Sequence, residues 1–366
     1  MQVVTSSLEK KLTRRAEREI EERIEKYPKT KRVWKALKDD PFIRGLWEMS
    51  DYIIKIKMHY NAHGDTHAKV VAANALKILD ILVKKGIDID TVRDGIGDTD
   101  DAHLIVLTAA LLHDIGNQLH RDKHYEYSVI LAIPILDQLL ASIYEDPMKL
   151  AQIRGSILHC IGTHMEEVKS YTLEASILKI ADGTDIAKGR SRLDYDPESV
   201  NIHTVSASSI GDVFITEGRE RPVSITVHMT NSAGVFQVQE ILCRKLRAGV
   251  ASEYIQIEAV TIPESVAREE KRDERIIHRI LIIGDKFMHL SPFHRYLGNS
   301  KTREIHDLSK TKKACRIDKI KDDNKIFFGS IEEIEKARNE LGYEGCKWCL
   351  PILLRKEELE ARRRTA

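Results

Sequence analysis

A histidine followed at once by an aspartate closes the apolar run Leu111-Leu112-His113-Asp114-Ile115-Gly116-Asn117. An imidazole and a carboxylate side by side at the polar end of a helix can ligate one divalent cation together. Other residues answer this pair: His67 stands in Gly64-Asp65-Thr66-His67, and Asp182 follows the apolar run Ile177-Leu178-Lys179-Ile180-Ala181. Two imidazoles with two carboxylates suit Mn, Fe, Co, Ni or Zn, and the oxygen ligands also admit Mg. Four protein ligands leave coordination positions open, where water can be activated and a phosphoryl oxygen polarised. His124 and His164 are candidates for a second ion with Asp114 as the bridge, and His159 is a further candidate, five residues before His164 on the same expected helix. One ion and two both fit this spacing.

Beyond Asp182 the chain reads Gly183-Thr184-Asp185-Ile186-Ala187-Lys188-Gly189-Arg190-Ser191-Arg192. Asp185, one turn from Asp182, can orient a metal ligand or act as a general base. Lys188, Arg190 and Arg192 can grip substrate phosphates, the two arginines in bidentate fashion. The bland reading of the same three cations is a helix C-terminus whose dipole they complement. Thr66 and Lys123 are candidates only by neighbourhood. His59, His63, His103 and His120 are read as ordinary surface or core histidines.

A second constellation lies late in the chain, where His306 and Cys315 precede Cys346-Lys347-Trp348-Cys349. Two thiolates from a tight Cys-x-x-Cys turn, with a third Cys and a His upstream, make a closed tetrahedral zinc site, and closed sites are structural. A redox dithiol lacks the βαβ setting such motifs occupy.

The elements that must hold these residues follow from periodicity. Residues 1–45 are dense in Lys, Arg and Glu and read as a charged, solvated helical arm with i,i+4 pairs. Residues 46–196 are helical almost throughout, with apolar residues at helical spacing over Ala68–Leu82, Leu104–Leu112, Val129–Leu140, Leu150–Ile161 and Leu173–Ile180. Residues 197–263 change period. Val200–Val205 and Val223–Met229 alternate like strands, Val235–Arg247 is helical and Tyr254–Ile262 alternates again, which gives a small α/β unit of ββαβ order. A charged linker helix over Glu264–Arg279 and a strand fill residues 264–298, and residues 299–366 hold the zinc module and a charged tail. The expected fold class is mainly α: a helical metal domain, a small α/β (ββαβ) domain and a small zinc-stapled C-terminal module.

Composition excludes several functions. Fifty-eight Lys and Arg against 57 Asp and Glu leave no global field for nucleic acid or an anionic membrane, so any basic surface must be local. Arg303, Lys310, Lys312, Lys313 and Arg316 form such a local group, which makes nucleic-acid contact open but not favoured. No apolar run approaches the ~18 residues a membrane span needs, and a cytoplasmic location is expected. Five cysteines, three of them late and at ligand spacing, argue against a disulfide framework. Assembly into a homo-oligomer is compatible with all of this.

The His…His-Asp…Asp arrangement, from about His59 to Arg192, resembles the HD superfamily of metal-dependent phosphohydrolases. The resemblance implies that His67, His113, Asp114 and Asp182 ligate a first metal, and that His124 and His164 stand where two-metal members carry further histidines. The chain departs from the HD-GYP branch, which hydrolyses cyclic dinucleotides: Asn117 replaces the Lys of HDIGK, and Met165-Glu166 follows His164 with no Gly-Tyr-Pro. The run from Arg303 to Cys349 also resembles the small zinc module of Ada-type DNA alkyl-repair proteins, with His306 in place of a thiolate. Methyl transfer to a cysteine therefore does not carry over. What the resemblance implies is a hydrolase of a small phosphate ester, a phosphomonoester or phosphodiester of nucleotide type. The competing reading is a ligand-sensing or nucleic-acid-binding regulator that keeps the site for recognition.

Overall fold

The structure is a computed structural model and describes residues 6–58, 60–186, 202–261, 279–289, 295–308, 310–321 and 324–351. The charged N-terminal stretch forms three helices, α1 (Ser7–Ile24), α2 (Pro28–Leu37) and α3 (Pro41–Asp51). They are not the solvated arm expected. Ala16, Ile20 and Ile24 recur at four-residue spacing and bury a stripe of α1 in the main core. The polar majority of that sequence hides the stripe from a composition-based reading. Lys69–Glu17 and Arg23–Asp80 ion pairs at 2.7 and 2.6 Å fasten α1 to the next long helix, α4 (Asp65–Lys84).

The short helix α5 (Asp90–Arg93) precedes α6 (Thr99–Leu112), and α7 (His124–Ala141), α8 (Pro147–Gly162) and α9 (Leu173–Thr184) complete the helical part. Every residue of α6 from Asp100 to Leu112 is buried, as expected of a helix that is apolar all round and sits at the centre of a bundle. Its N-terminus is closed by a reciprocal capping box between Asp98 and Asp101. Each fully buried Leu along α4 and α6, such as Leu76 or Leu107, contributes about 1.5–3 kcal/mol of transfer free energy.

The second part differs from expectation at its start. Ile202–Ser208 is a helix, α10, and the first strand is β1 (Ile210–Glu217). Ile202 and Val205 suit an i,i+3 spacing as well as an alternation broken after one turn, so a run this short cannot choose its period. β1 pairs antiparallel with β2 (Val223–Met229), and β2 pairs parallel with β3 (Ile255–Thr261). A parallel pair needs a crossover. Here it is a helical segment made of α11 (Gly234–Gln237), a π-helical stretch over Val238–Cys243 and α12 (Arg244–Arg247). The linker helix expected over Glu264–Arg279 lies outside the described residues except at its end. From there β4 (Arg279–Ile283) and β5 (Lys286–His289) extend the sheet in the order β1-β2-β3-β4-β5 instead of merely linking modules.

A single apolar core runs from Ala16 to Ile282 and joins helices and sheet, while a second runs from Leu281 to Leu350. β4 sits between them: Ile280 and Ile282 belong to the first core, Leu281 and Ile283 to the second. The second core is built from β6 (Tyr296–Asn299), β7 (Glu304–Asp307), β8 (Lys325–Phe328), α13 (Ile331–Leu341) and β9 (Glu344–Gly345), with strand order β8-β6-β7-β9. Among the described residues no helix is long and apolar enough to cross a membrane.

Candidate metal centre

Helix ends deliver the site. His67 lies in the first turn of α4, His113 caps the C-terminus of α6, His124 opens α7, His164 follows α8 and Asp182 lies in the last turn of α9. Between His113 and His124 the chain makes a short 3-10 turn over Ile115–Gln118. Gly116 is required there, because a Cβ on it would stand 2.1 Å from the carbonyl oxygen of His124 and 2.5 Å from the amide of Ser128. The close approach lets Gly116 N–H donate to Ser128 Oγ at 2.8 Å. Trp47 Nε1–H donates to the orphan Leu111 carbonyl at 2.9 Å, so the end of α6 is satisfied from α3.

The side chains converge around Asp114. His67 Nε2 lies 3.2 Å from His113 Nε2, 3.3 Å from Asp114 Oδ2 and 3.2 Å from Asp182 Oδ1. His113 Nε2 is 3.5 Å from Asp114 Oδ2 and 3.9 Å from Asp182 Oδ1. The other oxygen faces the opposite way: Asp114 Oδ1 is 3.1 Å from His124 Nε2 and 3.6 Å from His164 Nε2, and these two nitrogens are 3.1 Å apart. All six residues are buried.

The outward nitrogens decide what the inward ones can be. His67 Nδ1 faces Asp185 Oδ2 at 2.7 Å, while the Nδ1 atoms of His113, His124 and His164 face the carbonyls of Ala110, Arg121 and Ile161 at 2.8, 2.9 and 2.8 Å. A carbonyl or carboxylate can only accept, so each Nδ1 carries the proton and each Nε2 presents a lone pair. Two pairs of lone pairs therefore face each other at about hydrogen-bond distance with no proton between them. A cation is the group that suits such a cavity. Metal–nitrogen and metal–oxygen bonds of about 2.0–2.2 Å also give ligand separations near those observed. Burial lowers the pKa of His113 and pushes His164 down to about 3, which keeps both rings neutral. Burial alone would raise the pKa of Asp114, but His113, His63, His124 and His164 outweigh it and hold the carboxyl well below its usual range.

His159 is not brought to this cluster. Its ring stacks on Tyr171 and its Nε2 accepts from the Tyr171 amide at 3.3 Å. α8 ends at Gly162, before His164 is reached, so the two histidines do not share a helix as expected. Lys188, Arg190 and Arg192 lie outside the described residues, as does His59. Thr66 meets Thr13 through their hydroxyls at 2.8 Å, and the side chain of Lys123 is solvent-facing beside Glu126. His103 is a core residue, stacked on Tyr27, and His120 is exposed.

Two residues of the site escape a reading by motif. His63 Nδ1 lies 2.5 Å from Asp114 Oδ2, and its own amide donates to Asp51 Oδ1 at 2.7 Å. Its four-residue spacing from His67 was the available signal. Lys245, from α12, places Nζ 2.7 Å from Asp182 Oδ2, and nothing in its local sequence marks it.

A second cluster of possible ligands gathers His306 on β7, Cys315 at the end of a 3-10 turn, and Cys346 and Cys349 after β9, all buried. Cys346 Sγ is 3.9 Å from Cys315 Sγ, and Cys349 Sγ is 3.7 Å from His306 Nδ1. Zn–S bonds of about 2.3 Å in a tetrahedron put sulfurs about 3.8 Å apart, so the four atoms fit one zinc. The hydrogen bond from Cys349 holds the Cys346 thiol down at about 3, the thiolate form a metal takes, and the same bond pushes Cys349 up. No disulfide forms, and Cys160 and Cys243 are buried and free.

Residues 64–187 match the family described as HD domain, a span that holds all six converging residues. The chain is also similar to the protein described as "Uncharacterized protein MJ1020" of Methanocaldococcus jannaschii, with 42% identity over 223 residues, 61% of this chain and 86% of that protein. No solved structure matches the chain.

Proposed function

Because the chain belongs to one family with the M. jannaschii protein and carries an HD domain, we propose that it is a metal-dependent phosphoric ester hydrolase acting on a nucleotide or similar small phosphate ester. The observation that carries this reading is the division of Asp114. One oxygen faces His67 and His113, the other faces His124 and His164, and each of these four imidazoles turns a lone pair inward.

In this reading His67, His113, Asp114 and Asp182 would hold one divalent cation, and His124 and His164, on the other side of Asp114, would hold a second. Such cations supply Lewis acidity toward a phosphoryl oxygen and toward attacking water. The chain supplies the rest. Asp185 holds the proton on His67 Nδ1 and fixes the ring, and the Ala110, Arg121 and Ile161 carbonyls do the same for the other three. Burial of all six ligands keeps bulk water from competing for them. Lys188, Arg190 and Arg192, six to ten positions beyond Asp182, are proposed to neutralise substrate phosphate. The His306, Cys315, Cys346 and Cys349 cluster is proposed to hold a structural zinc.

The test is purified protein loaded with Mn or Ni and offered bis-p-nitrophenyl phosphate, cyclic nucleotides and nucleoside monophosphates. Turnover that Asp114→Ala removes is the expected result. Metal uptake without turnover on any of them would sink the hydrolase and favour a ligand-sensing role.

A further inference from the structure

The metal cluster is not complete within residues 64–187. Lys245, on α12 in the crossover between β2 and β3, is 5% exposed and ends among the ligands. Its Nζ donates to Asp182 Oδ2 at 2.7 Å and to the His164 carbonyl at 3.0 Å, with Glu166 Oε2 at 3.8 Å. One ammonium thus touches a residue from each half of the cluster, the side chain of Asp182 and the backbone of His164.

The two oxygens of Asp182 are consequently separated by task. Oδ1 faces His67 Nε2 at 3.2 Å, and Oδ2 is occupied by Lys245. A carboxylate with one oxygen held this way presents a single, fixed donor atom and cannot swing to chelate through both. The compact, three-donor ammonium suits this corner, where carbonyl and carboxylate partners come from different directions.

The crossover is built to stay in place. Gly183 lets it approach α9, since a Cβ there would stand 3.0 Å from Lys245 Cδ and 3.3 Å from Leu242 Cδ1. Leu242 and Leu246 are buried in the main core on either side of the lysine. At the end of α12 the Ala248 carbonyl accepts from Lys179 Nζ at 2.9 Å and from the Ser170 amide at 3.0 Å. Val250 N–H donates to Ser176 Oγ at 2.9 Å.

We propose that Lys245 is a positioning residue for the metal centre, supplied by the sheet unit, and that it sets metal affinity by fixing Asp182. The proposal rests on the reading that the His/Asp cluster binds divalent metal. Orienting partners of metal ligands typically account for about 10–100-fold in affinity.

The test is Mn(II) binding to the full chain, by titration calorimetry and by the electron paramagnetic resonance of the bound ion. Four proteins are compared: the unsubstituted chain, Lys245→Met, Asp182→Asn and the double variant. Lys245→Met is expected to weaken binding about tenfold or more and to alter the spectrum, and to do neither in the Asp182→Asn background. Equal affinity for Lys245→Met and the unsubstituted chain would overturn the proposal. The same loss in both backgrounds would overturn it too, since the lysine would then act through general packing. Failure of the unsubstituted chain to take up Mn(II) would instead refute the metal reading beneath it. Should Lys245→Met fail to fold, Lys245→Gln, which keeps a donor without the charge, is read by the same criteria.

Discussion

His67 and Asp185 share a buried 2.7 Å hydrogen bond between Nδ1 and Oδ2, although they lie at opposite ends of the HD-domain span. The bond sets the tautomer and the orientation of a ring whose Nε2 meets three other candidate ligands. Asp185→Ala is expected to lower divalent-metal affinity about 10–100-fold, with Asp185→Asn intermediate because its amide oxygen still accepts. Calorimetric titration with Mn(II) measures it, and unchanged binding by the alanine variant would remove Asp185 from the site.

Asp114 stands between both pairs of imidazoles, so Asp114→Ala should empty both halves of the cluster together. Elemental analysis of the variant is expected to show those cations lost and zinc at the C-terminal cluster kept. Retention of metal at the His67/His113 half alone would mean that the bridge is not shared.

Zinc at the C-terminal cluster is expected to act on stability. Cys346→Ser should lose that zinc and melt lower, because the buried His306 and the remaining thiols are left without the ion that holds them. Turnover per folded molecule should be unchanged. Catalysis lost in a still-folded variant would show that the two metal regions are not divided between structure and chemistry.

Gly116→Ala would press a methyl group on the His124 carbonyl and the Ser128 amide. A cost of about 1–3 kcal/mol in unfolding free energy is expected, with weaker binding at the His124/His164 half. Denaturant melts with and without Mn(II) report both, and full stability in the variant would mean that the turn has room to relax.

Asp101 gives the fold an acid-sensitive joint. Burial opposes its ionisation, but hydrogen bonds from Lys29, Tyr144 and Lys149 outweigh that and hold the carboxyl down from 3.8 to about 2. A carboxyl depressed in the folded state contributes stability above its unfolded pKa, and that contribution is lost as pH falls through the folded one. The stability gap between the unsubstituted chain and Asp101→Asn is therefore expected to be full above about pH 4 and to shrink toward pH 2. Parallel stability–pH curves would contradict this.

The helical part of the fold was legible because its signal is local. Apolar residues at helical spacing mark α4, α6, α7, α8 and α9, and the chemistry-bearing residues stand at their ends. Legibility fell where two periods fit equally, as at Ile202–Ser208, and where a few buried side chains hide in a charged stretch, as on α1. The structure gathers His67, His113, Asp114, His124, His164 and Asp182, residues the motif had singled out, but leaves His159 on the Tyr171 side of α8. His63 and Lys245 could not be reached by motif. One looks like any histidine before a helix, and the other acts from an element whose docking on α9 is set by tertiary packing.

The alternation along β4 has a consequence for how the molecule comes apart. Ile280 and Ile282 face one core while Leu281 and Ile283 face the other, so one strand is a shared wall. A single-residue insertion ahead of Ile280 would turn each side chain to the opposite room, damaging both cores at once. Melting of the end that carries the His306 and cysteine cluster is accordingly expected to be linked to that of the helical end through one short strand. The late cysteines, far from the His/Asp cluster in sequence, thereby share a wall with the core that holds it.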